Sequence, residues 1–449
     1  MVCAGGGCRD LPPGGFETEA GGGVTRSLCC LAACCVGILR TTTIQLIGAM
    51  PVGEFVLIGV CFTAALALVV RRRLTWGFSA PRILVLFVIG QLVAIGAYVL
   101  SDLWRESAPV DMIRGWLRMV FVLIDMLALA ILCGVTERAF VWLQVGVAMS
   151  VAQLLMTPPL FGDYWKFGFA YPVTMMVFLI FPHLAGFWGG VAGAVSLGAL
   201  HASQDFRSLG AECVATAVLL LLRILPKRAR SAILVAAALG ALLCSPMIVE
   251  KMFSSEGERA NRSNVERSAM LQAAWEGFLR SPLVGQGSWF SKSEVMDQFL
   301  LIRAEKAQAA GGGMQFQDDD FEGIAIHSQI VVSLAEGGVL GGVFFILYGV
   351  FVLWALWFAV IHAAWAWTLP SRMLLLVLSF FNLWMSPFSG PIRVEIAGAV
   401  ILVTILWSER NRNTKSRAVY GTDHQNRERY SDKGDEAHQE RPQPSASGL

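Results

Sequence analysis

Long apolar stretches with few charges are the feature that most constrains how this chain folds. Twelve of them follow one another along 449 residues. Most are close to the ~20 residues that an α-helix needs to cross the hydrocarbon core of a bilayer. Only 15% of the residues are charged, whereas a soluble domain carries about a quarter. The pattern predicts an all-α fold: a polytopic helical membrane protein with about 12 transmembrane helices.

The predicted spans divide the chain into five parts. Residues 1–27 form a Gly-rich leader and residues 409–449 a cytoplasmic tail of mixed charge, and both are predicted to be disordered. Between them we predict a transmembrane bundle of about nine spans over 28–250, a large loop over 251–341 and a bundle of three spans over 342–408. The spans are placed at 28–48, 50–70, 83–103, 116–135, 139–157, 169–185, 186–200, 209–225, 231–250, 342–361, 372–390 and 393–408.

Basic residues predict the orientation, because cytoplasmic loops carry an excess of Lys and Arg. With both termini inside, every basic cluster falls on the cytoplasmic side: 71–73, Arg82, 226–230, Arg372 and the start of the tail. The same arrangement puts the large loop between spans 9 and 10 on the periplasmic side. The short connections on that side are 104–114, 158–168, 201–208 and 390–393.

The large loop is predicted to contain two amphipathic helices. The first lies in "SNVERSAMLQAAWEGFLRSP", with Ser263 or Asn264 as its N-cap and Pro282 as its stop. The second lies in "SEVMDQFLLIRAEKAQAA" and ends at the glycines 311–313. The acidic run at 318–320 lacks the alternate ligand spacing and the glycine of a Ca²⁺ loop, so we predict no metal site there.

The segment "HSQIVVSLAEGGVLGG" joins the loop to the tenth span. We predict that its first part is a short interfacial helix, separated from the span by four glycines at 337, 338, 341 and 342. Non-helical backbone at membrane depth is tolerated only where protein or a wet cavity satisfies it. His327 then lies near the start of this short helix. Only His327 and His201 face outward in the predicted topology.

Three side chains from distant parts of the sequence are predicted to meet on the outer side: Arg207, Arg267 and His327. A guanidinium offers a planar fork that matches phosphate oxygens and stays charged at any working pH. A histidine near its reference pKa of about 6.5 can take a proton from a hydroxyl. Such a set suits a lipid-linked phosphate donor and a hydroxyl acceptor.

Three stretches give the chain a family resemblance: the Arg-bearing loop "SQDFRS", the segment "RSAMLQAAWEGFLRSPLVGQGSWF", and the His-led "HSQIVVSLAEGGVLGG". In this order and spacing the chain resembles the O-antigen ligase and polymerase family of bacterial membrane glycosyltransferases. The resemblance covers roughly residues 200–345. The chain departs from the family at Phe206, where Ser or Thr is usual, at Ser328, where Asn is usual, and at Ile330, where an aromatic residue is common.

The resemblance implies a glycosyl transfer at the periplasmic face of the bacterial inner membrane, with no metal ion or cofactor. The donor would be a glycan on undecaprenyl diphosphate. The acceptor would be a lipid A–core sugar in a ligase or a second lipid-linked glycan in a polymerase, making lipopolysaccharide or exopolysaccharide. Arg207 and Arg267 would bind the diphosphate, and His327 would orient or deprotonate the acceptor hydroxyl. Further candidate substrate-binding residues on the outer side are Arg280, Glu336, Trp289 and Arg393.

Other interpretations stay open at this stage. Arg207 could anchor its helix at the interface, Arg267 could pair with a neighbouring glutamate, and His327 could cap a helix. A secondary transporter would keep ionisable residues at the bilayer midplane, where a charge costs about 2.5–3.5 kcal/mol or more. The predicted spans hold few such residues, with Asp125 as the one clear exception. A scaffold of an export complex would tolerate loss of Arg207 or His327. No nucleic-acid partner is indicated.

Overall fold

The computed structural model describes residues 23–45, 49–71, 81–156, 164–243, 258–290, 294–309, 326–385 and 392–412. Almost all of these residues are helical, and five helices are long and apolar enough to cross a membrane. The predicted all-α membrane protein is confirmed, while the number of twelve spans stays a prediction. Most of the predicted leader, most of the predicted tail, the glycines 311–313 and the acidic run lie outside the described residues.

The elements follow one another in a simple order. The helices are α1 (Gly23–Leu39), α2 (Val52–Arg71), α3 (Pro81–Arg105), α4 (Pro109–Val135), α5 (Arg138–Met156), α6 (Ala170–Ser203), α7 (Arg207–Leu222), α8 (Lys227–Leu243), α9 (Glu258–Arg280), α10 (Glu294–Ala309), α11 (Gln329–Ile361), α12 (Leu369–Met385) and α13 (392–412). A two-stranded antiparallel sheet of β1 (Thr43–Gln45) and β2 (Ala49–Pro51) joins α1 to α2. A π-helical turn (Trp165–Phe169) precedes α6, and a 3₁₀ turn (Ser288–Phe290) follows α9.

The first predicted span, 28–48, is shifted along the chain: α1 begins at Gly23, within the predicted disordered leader, and ends well before residue 48. Helix α1 ends at Leu39, and the chain then forms the small sheet, in which Ile44 faces Met50. The run of threonines at 41–43 explains the early end, because β-branched side chains lose χ1 freedom in a helix and fit a strand better.

Helix α6 is a helical hairpin, as the predicted boundary between 185 and 186 requires. The helical conformation is interrupted at Ala185 and at Gly186, which has a φ of +60°. A Cβ at Gly189 would lie 2.1 Å from the carbonyl oxygen of Phe181, eight residues earlier. The two arms therefore run back along each other, and glycine permits both the reversal and the close approach.

Helix α11 is broken in the same way, but at one glycine rather than four. Gly338 has a φ of +67°, and the other three glycines are helical. A Cβ at Gly341 would lie 2.7 Å from the carbonyl oxygen of Ser333. A short arm, 329–337, therefore folds back against a long arm, 339–361. The predicted break is confirmed, and the long arm starts three residues earlier than predicted.

Charged residues are more frequent inside the bundle than the sequence indicated. The expectation that Asp125 is the one clear exception is wrong, because Glu54, Arg118, Glu212 and Glu395 are also buried within helices. Distant residues neutralise two of them. Glu54 pairs with Arg393, and Arg118 pairs with Glu336. The spans were predicted one at a time from the sequence, so ion pairs between helices that are far apart in sequence could not be predicted.

The predicted cytoplasmic arginines gather at one end of the bundle. The Arg223 side chain donates to the carbonyl oxygen of Ala363 at 2.7 Å, and the Arg230 side chain to that of Val360 at 2.9 Å. At the same end lie the ion pairs Arg372–Glu409 and Arg412–Glu137, both 3.4 Å. Guanidinium groups here satisfy helix C-terminal carbonyls, which favour nearby cations. The candidate site lies at the opposite end.

The two loop helices form as predicted, with one correction. Helix α9 starts at Glu258, so Ser263 and Asn264 lie inside the helix and do not cap it. The prediction failed because capping residues are also tolerated within a helix. Helix α9 ends at Arg280, just before Pro282, and α10 packs against it through a shared apolar core: Ala269, Ala273, Ala274, Val295, Phe299 and Ile302.

Candidate functional site

The turn that follows α9 within the large loop lies against the break in α11. Backbone hydrogen bonds join them: Val339 N donates to Pro282 O (2.7 Å), Gln286 N to Ala335 O (2.8 Å) and Gly287 N to Glu336 O (3.1 Å). Helix α9, which carries Arg267, is therefore held at its C-terminal end against α11, which begins just after His327.

Glu336 is the ionic centre of this anchor. Its carboxylate accepts hydrogen bonds from the Tyr98 hydroxyl and from the backbone N–H of Trp289, each at 2.9 Å, and forms an ion pair with Arg118. Glu336 is 1% exposed and Arg118 is 7% exposed. The charge of a buried carboxylate needs such partners, since an isolated one is strongly unfavourable. Glu336 is thus satisfied by the protein itself, and its predicted contact with substrate stays a prediction.

The end of α3 fixes the turn from the other side. Asp102 accepts hydrogen bonds from Ser288 N (2.6 Å), Ser288 Oγ (2.8 Å) and Trp116 Nε1 (2.8 Å). The Ser101 hydroxyl accepts from Gly287 N (2.9 Å) and donates to Glu336 O (2.6 Å). Our sequence analysis missed these two residues. The sequence feature that could have identified them is two adjacent polar residues at the predicted outer end of an apolar span.

Glycine is required at two positions of the anchor. Gly285 and Gly338 have φ values of +83° and +67°. A Cβ at Gly285 would lie 2.3 Å from Glu336 O, and one at Gly338 would lie 2.3 Å from Leu283 O. The glycines of the turn and of the broken helix therefore permit the close approach of two backbones.

His327 lies just before α11 and is half-buried. The N-cap of α11 is Ser328, whose Oγ accepts from Val331 N at 3.4 Å, so His327 does not cap the helix. Burial, together with the positive charges of Arg267 and Lys166, lowers the pKa of His327 to about 4. The imidazole is therefore neutral at pH 7 and can accept a proton. The charge of Arg267, on α9, therefore acts on the His327 imidazole.

Arg207 is the first residue of α7 and is open to solvent. Its Nε donates to Asp205 Oδ1 at 3.1 Å, with the two side chains 74% and 84% exposed. An ion pair between exposed side chains contributes about 0–1 kcal/mol. An anionic ligand can therefore replace Asp205 as the partner of Arg207.

His201, the other outward histidine of the sequence analysis, is a structural residue. It is fully buried, and its Nδ1 accepts from Trp165 Nε1 at 3.2 Å. Its Nε2 lies 2.7 Å from Thr174 Oγ1, which donates its own proton to Ala170 O. The proton therefore resides on Nε2, a tautomer assigned from the partners. The ring also packs against Phe206 at 6.1 Å, which fixes the loop before Arg207.

The remaining predicted ligands lie in different surroundings. Arg280 is exposed at the end of α9. Trp289 is half-buried with a φ of +65°, and the Arg118 guanidinium lies 5.6 Å from its ring centroid. Arg393 is buried and makes two 2.8 Å hydrogen bonds to Glu54. The roles of these residues in binding substrate stay predictions. For Arg393, binding would require the pair with Glu54 to open.

Comparison with known proteins supports the resemblance. Residues 192–346 match the family model described as O-antigen ligase. The matched stretch runs from the second arm of α6 into the long arm of α11, and it contains Arg207, Arg267 and His327. No curated protein matches the chain. Over residues 192–346, the chain is thus similar to the O-antigen ligase family.

Proposed function

We propose that this protein is a glycosyltransferase of the O-antigen ligase or polymerase type. It takes a glycan from undecaprenyl diphosphate at the periplasmic face of a bacterial inner membrane and transfers it to an acceptor hydroxyl. The observation that carries the proposal is the family match over residues 192–346, a segment that contains Arg207, Arg267 and His327. Exposed Arg207 provides the second guanidinium.

The proposed reaction is a single displacement at the anomeric carbon. The acceptor oxygen attacks this carbon while the bond between the carbon and the diphosphate oxygen breaks. The electron pair of that bond leaves with undecaprenyl diphosphate, and the proton of the acceptor hydroxyl goes to a ring nitrogen of His327. Transfer is assisted because a base within reach of the hydroxyl takes the proton as the new bond forms.

Arg207 and Arg267 act on the leaving group. The diphosphate gains negative charge as it departs, and guanidinium groups placed beside it stabilise that charge. Loss of one such donor typically costs about 100- to 1,000-fold in rate. The proposal uses neither a metal ion nor a cofactor, because the two cations and the base account for charge stabilisation and proton transfer.

The identity of the acceptor determines whether the same glycosyl transfer is a ligase or a polymerase reaction. A lipid A–core sugar makes the protein a ligase, and a second lipid-linked glycan makes it a polymerase. A denaturing gel of surface glycan separates them. A strain that lacks a ligase loses all glycan from lipid A–core, whereas one that lacks a polymerase keeps a single repeat unit.

The same strain tests the site. His327→Ala and Arg207→Ala should fail to restore long glycan at normal membrane levels of the protein. His183→Ala and Arg82→Ala are matched controls, because both residues are exposed at the opposite end of the bundle, and both should restore it. Wild-type banding with His327→Ala or Arg207→Ala would remove the catalytic assignment.

The proposed orientation has its own test. In a background without the ten native cysteines, a single cysteine at position 207 should react with a membrane-impermeant maleimide added from the periplasm. A cysteine at position 82 should react only after the membrane is opened. Reaction of position 207 from the cytosol alone would overturn the periplasmic site.

A further inference from the structure

We propose that Lys166 supplies a third positive charge to the diphosphate site and stabilises the departing undecaprenyl diphosphate. This inference rests on the proposed function, and it adds a residue from outside the segment that matches the family. Lys166 is exposed in the π-helical turn between α5 and α6. The sequence analysis placed its connection, 158–168, on the outer side but selected no residue there.

The packing around His201 brings Lys166 to the Arg207 side of the site. Trp165 precedes Lys166, and its indole both donates to His201 Nδ1 at 3.2 Å and packs on that ring at 5.5 Å. His201 in turn packs on Phe206, whose backbone N–H donates to His201 O at 2.8 Å. A tilted and an edge-on contact among three rings therefore link the turn that carries Lys166 to the residue before Arg207.

The charge of Lys166 also affects His327, in the other predicted half of the site. The charges that disfavour protonation of His327, after burial itself, are those of Arg267 and Lys166. These two cations come from separate elements, α9 and the π-helical turn. The turn that carries Lys166 therefore packs beside the residue before Arg207, and the charge of Lys166 acts on His327.

The chemistry of the leaving group explains why a third cation is useful. The donor is a diphosphate diester with two negative charges, whereas the released diphosphate monoester carries up to three. Arg207 and Arg267 balance the charge of the bound donor. An additional cation becomes most effective when the third charge develops, so it stabilises the transition state more than the ground state.

The expected signature is therefore a change in kcat rather than in KM. Lys166→Gln removes the charge and keeps most of the side-chain length, and it should lower kcat on the order of tenfold with little change in the donor KM. This loss of kcat is smaller than the about 100- to 1,000-fold loss that is usual for a buried donor, because Lys166 is exposed and solvent screens its charge. Lys166→Arg keeps the charge and should recover most of the rate.

A second readout separates an electrostatic role from a structural one. Arg267 and Lys166 are the charged groups that act on His327 among the described residues. Lys166→Gln removes one repelling charge, so the pKa of His327 should rise and the acidic limb of the pH–rate profile should move to higher pH. Lys227→Gln is the matched control, because Lys227 is exposed at the start of α8, at the other end of the bundle. It should change neither kcat nor the profile.

The experiment uses the purified full chain with an undecaprenyl-diphosphate glycan and an acceptor glycan in detergent, and each variant is first checked for wild-type thermal unfolding. Wild-type kcat and profile in Lys166→Gln, or a rate in Lys166→Arg as low as in Lys166→Gln, would overturn the inference. If His327→Ala and Arg207→Ala are inactive in the same assay, only the role of Lys166 fails. If they are as active as wild type, the proposed function itself fails.

Discussion

The carboxylate of Glu336 accepts a hydrogen bond from the backbone N–H of Trp289 at 2.9 Å. This contact joins the broken helix α11 to the turn that follows α9. The Arg118 ion pair and the Tyr98 hydroxyl complete the shell of the same carboxylate. The relative position of the segments that carry Arg267 and His327 therefore depends on the buried carboxylate of Glu336 and its partners within the protein.

Removing the charge of Glu336 tests this anchor. Glu336→Gln keeps the shape of the side chain but removes the carboxylate charge that pairs with buried Arg118, so we expect a loss of about 3–5 kcal/mol in the free energy of unfolding. Thermal unfolding in detergent measures it. An unchanged unfolding temperature with a raised donor KM would instead favour the predicted role of Glu336 in binding substrate.

The break in α11 is tested by a pair of glycine substitutions. Gly338→Ala introduces a Cβ 2.3 Å from Leu283 O at a φ of +67°, and a strained residue of this kind costs on the order of 1–3 kcal/mol. Gly96→Ala in α3 is the control, because a Cβ there meets nothing within 4 Å. The first variant should unfold at lower temperature, and the second at the wild-type temperature or above. Equal unfolding temperatures for the two variants would show that the fold does not require the chain reversal at Gly338.

A double-mutant cycle tests whether Arg393 is structural. Glu54→Gln or Arg393→Met alone leaves an uncompensated buried charge and should destabilise by about 3–5 kcal/mol. The double variant should lose much less than the sum, because neither charge is then left alone. Additive losses, combined with a raised donor KM in Arg393→Met, would support the predicted contact of Arg393 with substrate.

The acidic limb of the pH–rate profile tests the state of His327. The pKa of this histidine is lowered to about 4, so the neutral, proton-accepting form persists from pH 7 down to about pH 5. Activity should stay level over that interval and fall by half near pH 4. A limb near the ordinary histidine pKa of about 6.5 would contradict the buried environment.

The lowered pKa of His327 also makes the free energy of unfolding depend on pH. The pKa of His327 is about 4 in the folded state and about 6.5 in the unfolded chain. Between these values the unfolded state binds more protons, so acidification through this window favours unfolding. His327→Gln should therefore flatten this part of the stability curve. A curve that keeps its wild-type slope would assign the pH dependence to other groups.

Much of the fold follows from the sequence because local patterns determine it. Apolar runs of sufficient length predict spans, Pro282 ends α9, and the glycines near 338 mark the break in α11. The first span fails at the threonines 41–43, where local preference for a strand outweighs the apolar run. The cap of α9 fails because Ser and Asn are weak stops inside a helix that packs well.

The site is predictable only where its residues stand in a motif. Arg207, Arg267 and His327 lie in stretches that resemble a family, and the charge of Arg267 acts on His327. The residues that hold these stretches in place, Ser101 and Asp102, come from a helix nearly 190 residues before the turn that they bind. Lys166 was missed for the same reason: its relevance comes from packing through Trp165 and His201.

Glycosyl transfer by the purified protein from an undecaprenyl-diphosphate glycan to an acceptor glycan measures the proposed activity itself. We expect product with the wild type and with Arg82→Ala. We expect a loss of about 100-fold or more with Arg207→Ala, Arg267→Ala and His327→Ala, each folded as the wild type. Wild-type transfer by all three site variants would rule out the proposed site.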